Sequence, residues 1–116
     1  VVAGAISPWF TDRRAQIESI VVLPLVNLSG DPGEEYFVDG MTDSITTELA
    51  RIPGLGVVST TSAMHYKAAK KPLPVIAREL RVDGVIEGTL RRTGNRVRMS
   101  LKLVEAASDR PLWVES

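Results

Sequence analysis

The stretch Ser19-Ile20-Val21-Val22-Leu23-Pro24-Leu25-Val26 decides the fold. It is almost wholly apolar, rich in β-branched residues, and too short for a helix. Polar and apolar residues do not alternate along it. That pattern predicts a strand buried on both faces, as in a parallel sheet covered by helices. Pro24 has no N–H to give to a ladder, so strand pairing is expected to break near it.

On the C-terminal side of this run, Asn27–Glu35 is dense in turn formers and reads as a loop. Asp39 is placed to cap a helix starting at about Gly40. Phe37, Met41, Ile45, Leu49 and Ile52 form one apolar stripe on that helix, with Thr42, Asp43, Thr46, Thr47 and Glu48 away from it. Pro53-Gly54 ends the helix, and Leu55–Ser59 reads as a strand parallel to the first, joined by a right-handed crossover. Thr60–Tyr66 allows one helical turn and Lys67–Lys71 a polar loop. Leu73, Ile76, Ala77 and Leu80 repeat with helical spacing, and Pro72 and Pro74 are tolerated in the first turn.

The remainder is strand-like. Val82–Arg92 and Arg96–Ala106 flank Thr93-Gly94-Asn95, a hairpin signal. In the second strand Val97, Met99, Leu101 and Leu103 alternate with Arg96, Arg98, Ser100 and Lys102, so one face is core and the other wet. Pro111–Glu115 reads as a last, edge strand. The expected fold is α/β and two-layered. Its mixed sheet has about five strands, in the order strand-helix-strand-helix-strand-strand-strand, with helices on one face. Residues 18–116 form the domain and residues 1–17 a linker or membrane-proximal tail.

Composition narrows the function. A chain of 116 residues holds one core. Lys+Arg and Asp+Glu stand at 14 each, so no global field favours nucleic acid or an anionic membrane. The absence of cysteine removes disulfides, thiolate catalysis and cysteine metal sites, and a single histidine, His65, removes a multi-histidine centre. Val1–Ile6 followed by Ser7-Pro8-Trp9-Phe10 reads either as the outer end of a membrane helix or as a loose terminus.

Several runs taken together resemble a known family. They are Ser19–Pro32 (SIVVLPLVNLSGDP), Glu35–Asp43 (EYFVDGMTD), Arg51–Leu55 (RIPGL), Ser59–Ser62 (STTS), Val85–Arg92 (VIEGTLRR), Gly94–Arg98 (GNRVR) and Pro111–Glu115 (PLWVE). In this order they resemble the TolB amino-terminal-like domain, similar also to FlgO-like domains, over about residues 18–116. The resemblance implies a module of larger bacterial regulators. Such regulators carry adenylate cyclase, Ser/Thr kinase or CadC-type winged-helix outputs with tetratricopeptide repeats, and a membrane helix often precedes the module. It implies a periplasmic setting, with a cytoplasmic one as the alternative. It also implies a further helix beyond the Leu-Trp-x-Glu run, and carries over no catalytic residue.

Two groups of residues are candidate sites. The first is the strand-to-helix loop, with Asn27, Ser29, Asp31, Glu35, Asp39 and Gly40, at the sheet end where ligands bind in open α/β folds. The same residue types also build a shaped turn, with Gly30 and Gly33 for positive φ. The acidic residues lack the spacing of a calcium loop, and no phosphate-loop pattern is present, so no metal or cofactor is expected. The second group is the basic sheet face of Arg92, Arg96, Arg98 and Lys102, with Arg91 nearby. It reads as a solvated face or a protein interface; nucleic acid is not expected, because no aromatic is interleaved for base stacking. Trp113 is either an interface anchor or a packing residue. His65-Tyr66-Lys67 has no partner that makes it an acid–base centre. No spacing links Ser, His and Asp, so the chain is not read as an enzyme. The leading function is an extracytoplasmic sensing or protein-interaction module that binds a protein partner or adjacent domains of its own chain. The membrane would be reached only through a preceding segment. Small-molecule binding at Asn27–Asp39 and homodimerisation are the alternatives.

Overall fold

The computed structural model describes residues 17–116. The membrane-helix reading of Val1–Ile6 lies outside them. In chain order the elements are β1 (Ser19–Val22), β2 (Val26–Asn27), a 3-10 turn (Pro32–Glu34), α1 (Glu35–Leu49), β3 (Gly56–Val57), α2 (Thr60–Ala63), a second 3-10 turn (Met64–Tyr66), α3 (Leu73–Leu80), β4 (Gly84–Thr93), β5 (Arg96–Glu105) and β6 (Arg110–Glu115). The sheet has the order β3-β1-β4-β5-β6, with β2 pairing on β4. β1 is parallel to β3 and β4, and β2 is parallel to β4, whereas β4–β5 and β5–β6 are antiparallel. This is the expected α/β mixed sheet, with parallel crossovers first and a meander last.

Pro24 divides the first apolar run into β1 and β2, which accounts for six strands rather than five. Val22 lies opposite Ile86, and Val26 opposite Thr89. Four steps on one strand thus span three on the other, and the chain bulges at 23–25. Leu23 N still reaches the Ile86 carbonyl at 2.9 Å. Leu25 N turns away from the ladder and donates to Thr42 Oγ1 at 3.1 Å. The hydroxyl of Thr42 in turn donates to Val38 O at 3.2 Å, and Thr46 Oγ1 to Thr42 O at 3.0 Å.

This corrects the helix stripe. The residues α1 buries are Val38, Thr42, Ile45, Thr46 and Leu49, with Phe37 and Met41 half-buried at the margin. Threonine tolerates that position because its hydroxyl is satisfied by the carbonyl one turn back. The helix start is corrected as well. Asp31, not Asp39, is the capping residue: its Oδ1 accepts Gly33 N at 2.9 Å, the 3-10 turn follows, and α1 begins at Glu35. Asp39 lies a turn inside the helix. The strand expected over Leu55–Ser59 is shorter, because Ser59 leaves the sheet to cap α2 by accepting Ser62 N at 3.2 Å.

Strand alternation assigns the core. Ile20 and Val22 of β1, Ile86 and Leu90 of β4 and Leu101 and Leu103 of β5 lie under α1 with Ile17, Val38, Ile45 and Leu49. Val21, Leu23 and Val85 point the other way and meet Ala63 of α2, Ile76 and Ala77 of α3 and Val82. The structure therefore refines the expected placement of helices on one face. α1 forms the layer over the main core. The short α2 and α3 cover the parallel end of the reverse face, since β1 is buried on both sides. Past them, no helix among the described residues lies on the reverse face of the β4–β5 hairpin.

Candidate functional site

The loop residues chosen from the sequence spend their polar groups on one another. Asn27 Oδ1 accepts Ser29 N at 2.9 Å, and its Nδ2 donates to Asp31 O at 3.1 Å. Ser29 Oγ accepts the Arg92 backbone N–H at 2.9 Å and so fastens the loop to β4. Gly30 supplies the left-handed turn with φ +76°. Gly40 is exposed on α1, with open space around its Cα.

Glu35 and Asp39 are one helical turn apart and face the same way. Lys67, from the loop after α2, sits between them. Its Nζ is 2.9 Å from Glu35 Oε2 and 2.9 and 2.8 Å from the two oxygens of Asp39. The Lys67 ammonium, and after it the Asn27 side chain, hold the Glu35 carboxyl below its ordinary range. Asp39 first and Glu35 second raise the Lys67 ammonium above its own. The acidic end of the sheet is thus a closed ion cluster. Among the described residues no group of three or more His, Cys, Asp and Glu is placed to hold a metal. His65 is exposed, with Nδ1 3.4 Å from Ser62 O. Tyr66 donates to Glu79 Oε1 at 2.7 Å.

The basic group divides by strand alternation. Arg96, Arg98 and Lys102 of β5 share the helix-free face with Glu87, Thr89 and Arg91 of β4, in the opposed pairs Glu87–Lys102, Thr89–Ser100, Arg91–Arg98 and Thr93–Arg96. Arg92 does not belong with them. It projects on the α1 side, its guanidinium 4.7 Å from the centre of the Phe37 ring and 3.7 Å from Glu34. Trp113 is half-buried opposite Leu103 and packs against the α1-side core.

The sequence reading did not foresee a groove on the helix-free face. It has a volume of about 590 Å³. Thr89 and Ser100 are at its base. Leu23, Val26, Tyr66, Ile76 and Val114 form much of its apolar wall. The ion pair of Lys102 and Glu87, 3.0 Å apart, lies along it. Val26 and Val114 are 55% and 63% exposed. The signal was hidden because these residues come from five separate segments, which read locally as strand, loop or helix.

No family model matches the chain. It is 40% identical over 97 residues to "Putative adenylate cyclase 3" of Rhizobium meliloti (strain 1021). The match takes in 84% of this chain and 16% of that protein, so the chain spans only a small part of its relative. Among solved structures, the C-terminal domain of LpoB from Escherichia coli superposes with a TM-score of 0.70 at 14% identity, over 97% of this chain and 90% of that one. Lipoprotein GNA1162 from Neisseria meningitidis gives 0.69 at 20% identity, over 84% and 78%. The PelC dodecamer of Paraburkholderia phytofirmans gives 0.54 at 14% identity, over 84% and 67%. At such identities the three structures share the fold with this chain. The relative by sequence places a similar segment within a much longer protein.

Proposed function

We propose that this chain is a non-enzymatic protein-interaction module of a larger bacterial signalling protein. Its partner, a protein or a neighbouring domain, docks on the helix-free face of the β4–β5 hairpin. The observation that carries the reading is the groove itself, an apolar hollow with exposed Val26 and Val114 at its margins. Exposed apolar surface of this kind marks interaction sites. Three things support the larger setting. The match to the rhizobial relative spans a small share of that protein. The ordered motifs resemble TolB amino-terminal-like modules of regulators. The fold is also that of lipoprotein GNA1162 and of the LpoB C-terminal domain. Together they favour an extracytoplasmic module attached to its output through a preceding membrane segment. The Asn27–Asp39 loop is the weaker binding candidate, since its side chains are committed to internal bonds and to Lys67.

The test is the double substitution Val26→Asp with Val114→Asp in the full-length protein. Both positions are solvent-facing, so the melting temperature of the domain is expected to stay within a few degrees of native. Partner binding and regulated output are expected to be lost. Native output from a folded double variant would overturn the reading.

A further inference from the structure

We infer that the docking partner presents an extended acidic segment. Its apolar residues enter the groove, and its carboxylates are taken by Arg91, Arg96 and Arg98. This rests on the docking reading above and specifies the chemistry of the partner.

The register places the two features in line. Residues on one side of a strand are about 7 Å apart. The Arg91–Arg98 pair therefore stands one step beyond the Thr89–Ser100 base of the groove, with Arg96 one step further. Arg91, Arg96 and Arg98 are exposed and line a shared hollow of about 450 Å³ with Thr93 and Val97. Arg91 lies directly opposite Arg98, an arrangement of like charges that weakens a hairpin. The neighbouring cations are neutralised: Arg92 by Glu34 and Lys102 by Glu87. No ion pair among the described residues does the same for Arg91, Arg96 or Arg98. An uncompensated group of guanidinium forks is suited to bidentate carboxylates.

The small residues Thr89 and Ser100 leave room for a backbone to lie along the sheet from the apolar end to the basic end. Charge argues against nucleic acid as the occupant. The chain as a whole is neutral, Glu87 lies in the path, and among the described residues no exposed aromatic stands with the arginines to stack a base.

The test uses a fluorescent peptide with Leu and Val in one half and Glu in the other, titrated with the chain and followed by anisotropy. A second peptide replaces Glu with Lys, and a single-stranded oligonucleotide of equal negative charge is the third probe. The acidic peptide is expected to bind, and the lysine peptide to bind at least about tenfold more weakly. Arg91→Glu with Arg98→Glu is expected to weaken the acidic peptide by about tenfold or more, with an unchanged melting temperature, and high salt to weaken it likewise. The milder pair Arg91→Ala with Arg98→Ala serves if the reversal unfolds the hairpin. Equal binding of both peptides, or tighter binding of the oligonucleotide, would overturn the acidic-segment inference. So would arginine variants that bind the acidic peptide as the native chain does. If, in that last case, Val26→Asp with Val114→Asp still abolishes binding, docking survives and only the charge assignment fails. If neither pair of substitutions matters, both readings fail.

Discussion

Thr42 is a polar side chain at the centre of an apolar contact, and its burial follows from a proline in the link between β1 and β2. Pro24 ends the ladder, Leu25 N is left inside the protein, and Thr42 Oγ1 accepts it. Thr42→Val keeps the shape and removes the acceptor, so it is expected to cost about 1–3 kcal/mol in denaturant unfolding. Thr42→Ser keeps the bond and is expected to lose only about 1 kcal/mol for the buried methyl. Equal losses in the two variants would remove the hydrogen bond from the explanation. Two glycines make a second contrast. A Cβ at Gly88 would press into the Ser100 carbonyl and stand 2.8 Å from Leu101 Cδ2, so Gly88→Ala is expected to destabilise by about 1–3 kcal/mol. A Cβ at Gly40 meets nothing within 4 Å on a regular helix, so Gly40→Ala is expected to stabilise by about 0.5–1 kcal/mol. The ranking of their melting temperatures checks both. A stabilising Gly40→Ala with partner binding intact also fits Gly40 as architecture.

At the scale of elements, Lys67 ties the loop after α2 to the first turns of α1 through Glu35 and Asp39. Glu35 is depressed below its ordinary value of 4.5, chiefly by Lys67. A depressed carboxylate contributes stability that is present above the unfolded value and lost as pH falls through the folded one. Lys67 is raised above its ordinary 10.5, chiefly by Asp39. Its contribution is present below the unfolded value and lost as pH rises through the folded one. The stability difference between native protein and Lys67→Met is therefore expected to be flat through neutrality. It should shrink below about pH 4.5 and again in strong alkali. Glu79 is also depressed, first by Tyr66 and then by Lys71, but it is common to both proteins and cancels in the difference. A difference that does not change between neutral and acid pH would mean that the cluster is not formed in solution. The β4–β5 hairpin separates its charges by the same local rule that formed it: alternation sends Arg92 to Phe37 and Glu34, and Arg91 to the other face with Arg98.

Among the described residues, the sheet has one heavily covered face, under α1, and one that helices cover only at its parallel end. The groove lies at that boundary. No helix among the described residues is long and apolar enough to cross a membrane. The side on which the module works is open to direct measurement. The chain has no cysteine, and Tyr36 on α1 is 89% exposed. Tyr36→Cys in the full-length protein therefore adds one accessible thiol to this domain at little cost to the fold. For an extracytoplasmic module, a membrane-impermeant maleimide is expected to label that thiol in intact cells. Labelling only after lysis would place the module in the cytoplasm.

Much of this was legible in the chain by itself, because it depends on neighbours in sequence. The apolar run at Ser19–Val26, its break at Pro24, the helix at Leu73–Leu80, the hairpin about Gly94 and the edge strand at the end all follow from local periodicity and turn chemistry. These determined an α/β domain with a mixed sheet. The rotation of α1 was decided only by tertiary structure, because an amide freed by Pro24 draws Thr42 inward. Tertiary structure likewise paired Glu35 and Asp39 with Lys67, distant in sequence from both. It also opened the groove. Those three outcomes depend on which faces meet across the sheet, and a local pattern carries no record of a residue's long-range partners.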